Sequence, residues 1–281
     1  MASSLTFLRG LLAAAAVTLA GCATTTEPEG PLRKETVWAV TDRAELIRFN
    51  AGRPQKVETR LPLQGLEPGD KLVGIDFRVA RGVLYALSAR GRLYTLDTRT
   101  ARLAPVGSGA LVPLQGERFG FDFNPVADRI RVVSDSGQNL RLHPDTGAVA
   151  ATDPALNGAV PGAPAPKVAG AAYTYNKNND KLTTNYAIDL AAGTLLTQGS
   201  VEGVQPAVSP NTGTLMVVGA LGTGPIDDAA FDIADIGNTA LAALRAGGHT
   251  RLFLVDLASG RAAPLGTVDQ GRTLWGLAIE P

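Results

Sequence analysis

Asp76, Asp122 and Asp232 stand at one position of a phrase that recurs along the chain: Gly74-Ile75-Asp76-Phe77, Gly120-Phe121-Asp122-Phe123 and Ala230-Phe231-Asp232-Ile233. Three carboxylates brought together would suit a hard cation such as Ca²⁺, which takes roughly six to eight oxygen ligands and would draw the rest from backbone carbonyls and water. A cation held there could serve a hydrolase or lyase that works from the carboxylates. The same aspartates could instead accept hydrogen bonds from neighbouring N–H groups and only fix the geometry of the repeats. Two further copies of the phrase, Gly170-Ala171-Ala172-Tyr173 and Gly276-Leu277-Ala278-Ile279, carry alanine in place of the acid.

A second polar group lies between Asp128 and Arg141. Arg129 and Arg131 are two apart on a strand pattern and so share a face, and Arg141 follows the turn Ser134–Gln138 on the next strand. With Asp135, Gln138 and Asn139, these guanidiniums could grip a carboxylated or sugar-like ligand in bidentate fashion. The alternative is structural, with Arg129 and Arg131 paired to Asp128 and Asp135 across adjacent repeats.

Other chemistry is poorly supplied. His143 and His249 are the only histidines, about a hundred residues apart and beside turn residues, so a His-rich metal site is excluded and a Ser-His-Asp triad would have to use one of them. No Gly-x-Ser-x-Gly elbow occurs, and Cys22 is the sole cysteine. Gly219, Gly222 and Gly224 resemble part of a phosphate loop but lack its lysine and its helix, and they read as strand-end glycines. Lys plus Arg equals Asp plus Glu at 26 each, with no basic block to follow a phosphate backbone, which argues against nucleic acid. A binding or scaffold module is the leading expectation, with a protein or a small anionic or glycan ligand as partner. The alternative is the cation-dependent hydrolase or lyase using the carboxylates.

The elements that must position these residues repeat with a period near fifty, suited to a four-stranded blade. Leu61-Pro62-Leu63-Gln64-Gly65 returns as Val112-Pro113-Leu114-Gln115-Gly116. Val83–Leu87 leads through Arg90-Gly91 to Arg92–Leu96, a hairpin by alternation and turn residues. Later repeats place Gly147, Gly213 and Gly260 at a second turn, where Ala101 stands in the first; that turn should differ or carry mild strain. Thr239–Arg245 is made of good helix formers, but its register against Val83–Leu87 predicts a strand.

The chain enters mid-repeat, with Val37–Val40, Glu45–Phe49 and Val57–Thr59 lacking an opening strand, and ends on a lone one, Leu274–Ile279. Joining the two closes a ring. The expected fold is therefore all-β, a β-propeller of five four-stranded blades closed by the C-terminal strand; extra sequence around Val201–Ser209 keeps six blades open. Closure should also make Trp38 and Trp275 neighbours.

Ahead of that domain, Arg9 precedes a short apolar run, Leu11–Ala20, too short to span a bilayer and ending in Leu19-Ala20-Gly21-Cys22. Small residues before a lone cysteine resemble a lipobox. Residues 1–21 are expected to be a lipoprotein signal peptide and residues 22–33 the lipidated Cys22 and a flexible tether. Residues 34–281 then form one propeller domain, a monomer anchored to a membrane through Cys22 and facing the periplasm. With Ala23 following Cys22, the outer membrane is expected in a Gram-negative host. A free or buried thiol behind an ordinary signal peptide is the alternative.

The run from Phe119 to Gly147, FGFDFNPVADRIRVVSDSGQNLRLHPDTG, with Gly74-Ile75-Asp76-Phe77-Arg78 and Leu93-Tyr94-Thr95-Leu96, resembles the bacterial family known as domain of unknown function 4394. The resemblance covers nearly all the chain after the tether. It implies a repeat architecture and brings no established activity. His143 stands where asparagine is expected, and the fourth repeat is only loosely similar.

Overall fold

The computed structural model describes residues 27–108, 111–158 and 165–281; residues 1–21, expected to be a signal peptide, and Cys22 lie outside the described residues. After residue 35 the chain forms β1 (Thr36–Thr41), β2 (Glu45–Asn50) and β3 (Val57–Pro62), then a second blade of β4 (Leu72–Arg78), β5 (Val83–Ser88), β6 (Leu93–Leu96) and β7 (Leu103–Pro105). The third blade is β8 (Phe119–Asn124), β9 (Arg129–Ser134), β10 (Asn139–Leu142) and β11 (Val149–Thr152). A two-residue β12 (Asn157–Gly158) precedes the fourth blade, β13 (Val168–Tyr173), β14 (Asn185–Asp189), β15 (Thr194–Gln198) and β16 (Thr214–Ala220). The fifth is β17 (Asp228–Ile233), β18 (Ala240–Ala246), β19 (His249–Val255) and β20 (Ala262–Thr267), and β21 (Leu274–Ile279) ends the chain.

These strands make five sheets, one per blade, and β21 completes the first in the order β21-β1-β2-β3. Trp38 pairs with Ala278 and Val40 with Gly276 across the closing seam, and Trp275 packs against the apolar cluster that holds Trp38. The five-bladed ring is thus the predicted one. The extra sequence of the fourth repeat forms no sixth blade: it lengthens the loop from β15 to β16, residues 199–213, while β12 adds a parallel edge strand to β16.

Burial falls from the axis outward, which explains how the strands read in sequence. β13 is buried at every residue, whereas the outer β3 and β11 alternate half-buried with exposed. An inner strand is covered on both faces and reads as an unbroken apolar run; an outer strand keeps a wet face. β18 is a strand, as register predicted, because it pairs along its whole length with β17 and β19 and so overrides its helix propensity. Ala101 adopts φ +54°, the left-handed conformation of its counterparts Gly147 and Gly260, and closes the same turn.

The core is divided among the seams between blades. Apolar clusters fill those between the first and second, second and third, fourth and fifth, and fifth and first blades. The third–fourth seam holds the smallest cluster, and its remaining volume is taken by polar side chains described below. Residues 27–33 have no regular secondary structure but lie along the rim. Glu27 accepts from Thr267 N–H at 2.7 Å and pairs with Arg251, and Arg33 N–H bonds Asn50 Oδ1 at 3.0 Å.

Candidate functional site

The innermost strand of every blade runs toward one face of the ring, called the top. Its first half carries the small residue of the repeated phrase, and Gly74, Gly120, Gly170 and Gly276 bring the five strands into contact at the waist. A methyl group on Gly120 would stand 2.6 Å from Ala171 N and one on Gly276 2.8 Å from Ile75 N. Glycine is needed there for close backbone approach. Below the waist a small depression of about 50 Å³ is lined by Lys71, Arg118 and Asp228 among others. Asp228 is pushed up to about 6 by burial, although Arg118 opposes the shift from 3.3 Å.

Above the waist the three repeated aspartates meet around the axis, in a narrow top mouth of about 70 Å³. One oxygen from each lies within 4.8 Å of the others. Their backbone partners follow a rule. Asp76 Oδ1 accepts from Phe77 N–H and Oδ2 from Phe123 N–H, both at 2.7 Å. Asp122 Oδ2 accepts from Tyr173 N–H at 2.9 Å. Asp232 accepts from Ile233 N–H and Ile279 N–H, both at 2.6 Å. Each aspartate therefore reaches the next blade, and the five equivalent inner-strand amides are all satisfied. The two blades with Ala172 and Ala278 need no acid, because the amides they would have served, Ile233 and Phe77, are taken by Asp232 and Asp76.

Burial raises all three carboxyl groups. Asp76 is pushed up by desolvation and then by the charge of Asp232, Asp122 by desolvation and then by Asp76 and Asp232, and Asp232 by desolvation to about 6. Buried carboxylates in mutual contact cannot all ionise. Asp122 has one backbone donor where Asp76 and Asp232 have two each, so its charged form has the least backbone support of the three. The cluster offers oxygens close enough for a hard cation, but five of the six already accept an N–H.

The predicted polar group is divided by the structure. Asp135 and Gln138 lie at the bottom end of the third blade, where Asp135 Oδ1 accepts from Glu117 N–H and Gln138 Oε1 from Gln115 N–H. Arg131 and Asn139 belong to the third–fourth seam. Arg131 is 1% exposed and donates to Tyr173 Oη, Asn139 Oδ1, Asp153 Oδ2 and Asn211 Oδ1 at 2.6–3.1 Å. Asn139 also receives Gln198 Nε2 from the fourth blade at 3.1 Å. Arg141, on the other side of Asp153, grips both its oxygens at 2.8 and 2.9 Å. Arg131 is thus paired structurally, but with Asp153 and not Asp128 or Asp135, and Arg129 pairs with the carboxylate of neither of those acids. Asp128 pairs instead with the buried Arg78 of the second blade.

Arg129 and Arg141 face a groove of about 550 Å³ on the top face, between the third blade and the long loops of the fourth, residues 174–184 and 199–213. Its lining holds four cations, Arg129, Arg131, Arg141 and Lys181, and one acid, Glu202, whose Oε1 accepts from Asn176. Two of the guanidiniums share the single carboxylate of Asp153. Arg129 donates to the backbone oxygen of Asp128 at 2.8 Å, and among the described residues neither it nor Lys181 has a carboxylate partner. A groove lined by unmatched positive charge concentrates anions. Lys181, Asp153 and Asn211 were not singled out from sequence; the one signal for this region was the extra length of the fourth repeat. His143 and His249 serve surface turns, through Asp145 N–H and Gly247 O.

The family model described as "Domain of unknown function (DUF4394)" matches residues 45–278. No curated protein matches the chain. Among solved structures, a chain of a nidogen/laminin complex is 12% identical, with 88% of this chain and 98% of that chain covered and a TM-score of 0.48. A structural genomics protein of unknown function from Bacteroides thetaiotaomicron is 10% identical, with 85% and 58% covered and a TM-score of 0.49. TolB from Acinetobacter baumannii is 15% identical, with 88% and 67% covered and a TM-score of 0.47.

Proposed function

The chain belongs to the DUF4394 family, and from that premise and the geometry of its top face we propose that it is a binding module for an anionic ligand, held in the groove between the third and fourth blades. The observation that carries this reading is the pair of uncompensated cations, Arg129 and Lys181, beside Arg141 on a shared carboxylate. A propeller by itself hosts binding and catalysis alike, so the reading rests on the groove and not on the fold. The axial carboxylates have a sufficient structural occupation in the five inner-strand amides and are left out of the binding site.

Calorimetric titration of the purified protein with citrate, a small polycarboxylate without a hydrocarbon tail, tests the reading. Binding is expected that weakens as salt is raised and falls at least tenfold in Arg129→Ala/Lys181→Ala. Citrate bound equally well by that variant, or not bound by the wild type, would move the site elsewhere or remove it.

We also propose that the protein is exported and tethered through Cys22. The support is sequence alone: the short apolar run Leu11–Ala20 and the small residues ahead of the cysteine. Metabolic labelling with an alkyne fatty acid should mark the wild type and not Cys22→Ser. Label retained by the serine variant would refute lipidation at that residue.

A further inference from the structure

We infer that the groove between the third and fourth blades takes an amphiphilic carboxylate, a single hydrocarbon chain ending in one anionic head, with the head at Arg129 and the chain along the loops of the fourth blade. This rests on the reading of the groove as an anion site and adds the character of the ligand's other end.

Eight large apolar side chains are exposed among the described residues, and four of them, Val126, Leu182, Val201 and Val204, line this one groove. Singly scattered apolar residues on a surface need no explanation, whereas a cluster around a concavity marks a contact surface. The four come from three separate connections: Val126 from the turn between β8 and β9, Leu182 from the loop between β13 and β14, and Val201 and Val204 from the loop between β15 and β16. They share the groove with Arg129 and Lys181, which have no carboxylate partner among the described residues. A purely apolar occupant would leave those charges unmatched, and a small polyanion would leave the four apolar side chains wet. Only a ligand with both parts uses the whole lining. The groove's cavity volume of about 550 Å³ suits it, since small-ligand sites run to roughly 300–1,000 Å³.

The experiment titrates the purified protein with hexanoate, octanoate and decanoate below their micelle concentrations, and with decyltrimethylammonium as a chain of the same length and opposite charge. Affinity is expected to rise about two- to fourfold for each methylene that leaves water. Arg129→Ala should weaken all three carboxylates at least tenfold, and decyltrimethylammonium should not bind. Val201→Ser/Val204→Ser, at exposed positions that leave the fold intact, should flatten the dependence on chain length. If carboxylates and citrate bind with affinities independent of chain length but still need Arg129, the amphiphile is wrong and the anion site stands. If the ammonium binds as well as decanoate, or chain-length dependence survives Arg129→Ala, the pairing of head and chain is overturned. If neither citrate nor any carboxylate binds, both readings fall together.

Discussion

Asp76 Oδ2 accepts the backbone N–H of Phe123 across the seam between the second and third blades, at 2.7 Å and with the carboxyl group buried. The same relation joins Asp122 to Tyr173 and Asp232 to Ile279, so three carboxylates tie together inner strands that share no sheet hydrogen bonds. Five amides need five acceptors, and three carboxylates supply six oxygens. Ala172 and Ala278 are therefore consistent members of the pattern rather than lapses in it, since a fourth acid would add charge where no donor is waiting.

Removing an acid should cost stability in proportion to the amides it serves. Asp76→Ala and Asp232→Ala each strip two buried N–H groups of their partner, and at about 1–3 kcal/mol for each unsatisfied group the loss should reach about 2–6 kcal/mol. Asp122→Ala strips one and should lose about half as much. Urea unfolding of the three variants gives the order directly; equal losses, or Asp122→Ala the worst, would contradict the accounting.

The same burial predicts an unusual pH dependence. A carboxyl group whose folded pKa lies above its unfolded value keeps a proton that the unfolded chain has lost, so its stabilisation is complete below the unfolded pKa and fades as pH rises through the folded one. For Asp232, raised from 3.8 to about 6, that window runs from about 4 to about 6, and the contribution is about 3 kcal/mol at the usual value per pKa unit. The raised Asp76, Asp122 and Asp228 act in the same sense. Surface carboxylates with lowered values, such as Asp97 and Asp256, oppose it only where they begin to protonate, in more acidic solution. Thermal unfolding should accordingly show a higher Tm at pH 5 than at pH 7, with the difference reduced in Asp232→Asn. Calcium added at pH 7 should leave Tm unchanged, because five of the six oxygens already serve amides; a rise lost in Asp122→Asn would make the cluster a cation site.

Arg131 and Arg141 allow structural and binding roles to be separated. Arg131 is buried with Asp153, and truncating one partner of a buried pair leaves the other without compensation, at about 3–5 kcal/mol. Arg141→Ala leaves Asp153 still held by Arg131 and should cost about 1 kcal/mol. Denaturation midpoints should therefore fall far more for Arg131→Ala than for Arg141→Ala. Similar losses would mean that the seam does not depend on the buried pair.

How much of this was legible in the sequence depends on whether a feature repeats. The five inner strands, ring closure by Leu274–Ile279 and the shared position of Asp76, Asp122 and Asp232 follow from periodicity, because equivalent residues of a closed ring must converge on its axis. Asp135 and Gln138 looked like neighbours of Arg129 because they are close in the chain. A strand carries them apart: β9 is six residues long, and at about 3.3 Å per residue its ends lie on opposite faces of the ring. Asp153 and Asn211, which complete the contacts of Arg131, belong to connections whose sequences differ from those in the other repeats. No internal copy could point to them, nor to the apolar residues that share the groove.

The waist of the ring provides the sharpest test of the axial packing. A methyl group at Gly120 would meet Ala171 N at 2.6 Å and Gly170 C at 2.7 Å, and both are backbone atoms of an inner strand that cannot rotate away. Relief requires two blades to separate, which would also stretch the Asp122 bond to Tyr173 N–H. Gly120→Ala should therefore lower stability by about 3 kcal/mol or more, beyond the usual range for overpacking, or prevent folding. At the equivalent position of the fifth blade the chain already carries a methyl group, Ala230. Ala230→Gly loses only that group and some backbone restriction, and should cost about 1 kcal/mol. Thermal melts followed by circular dichroism separate the two cases; a tolerated Gly120→Ala would mean that the inner strands are not held in contact at the axis.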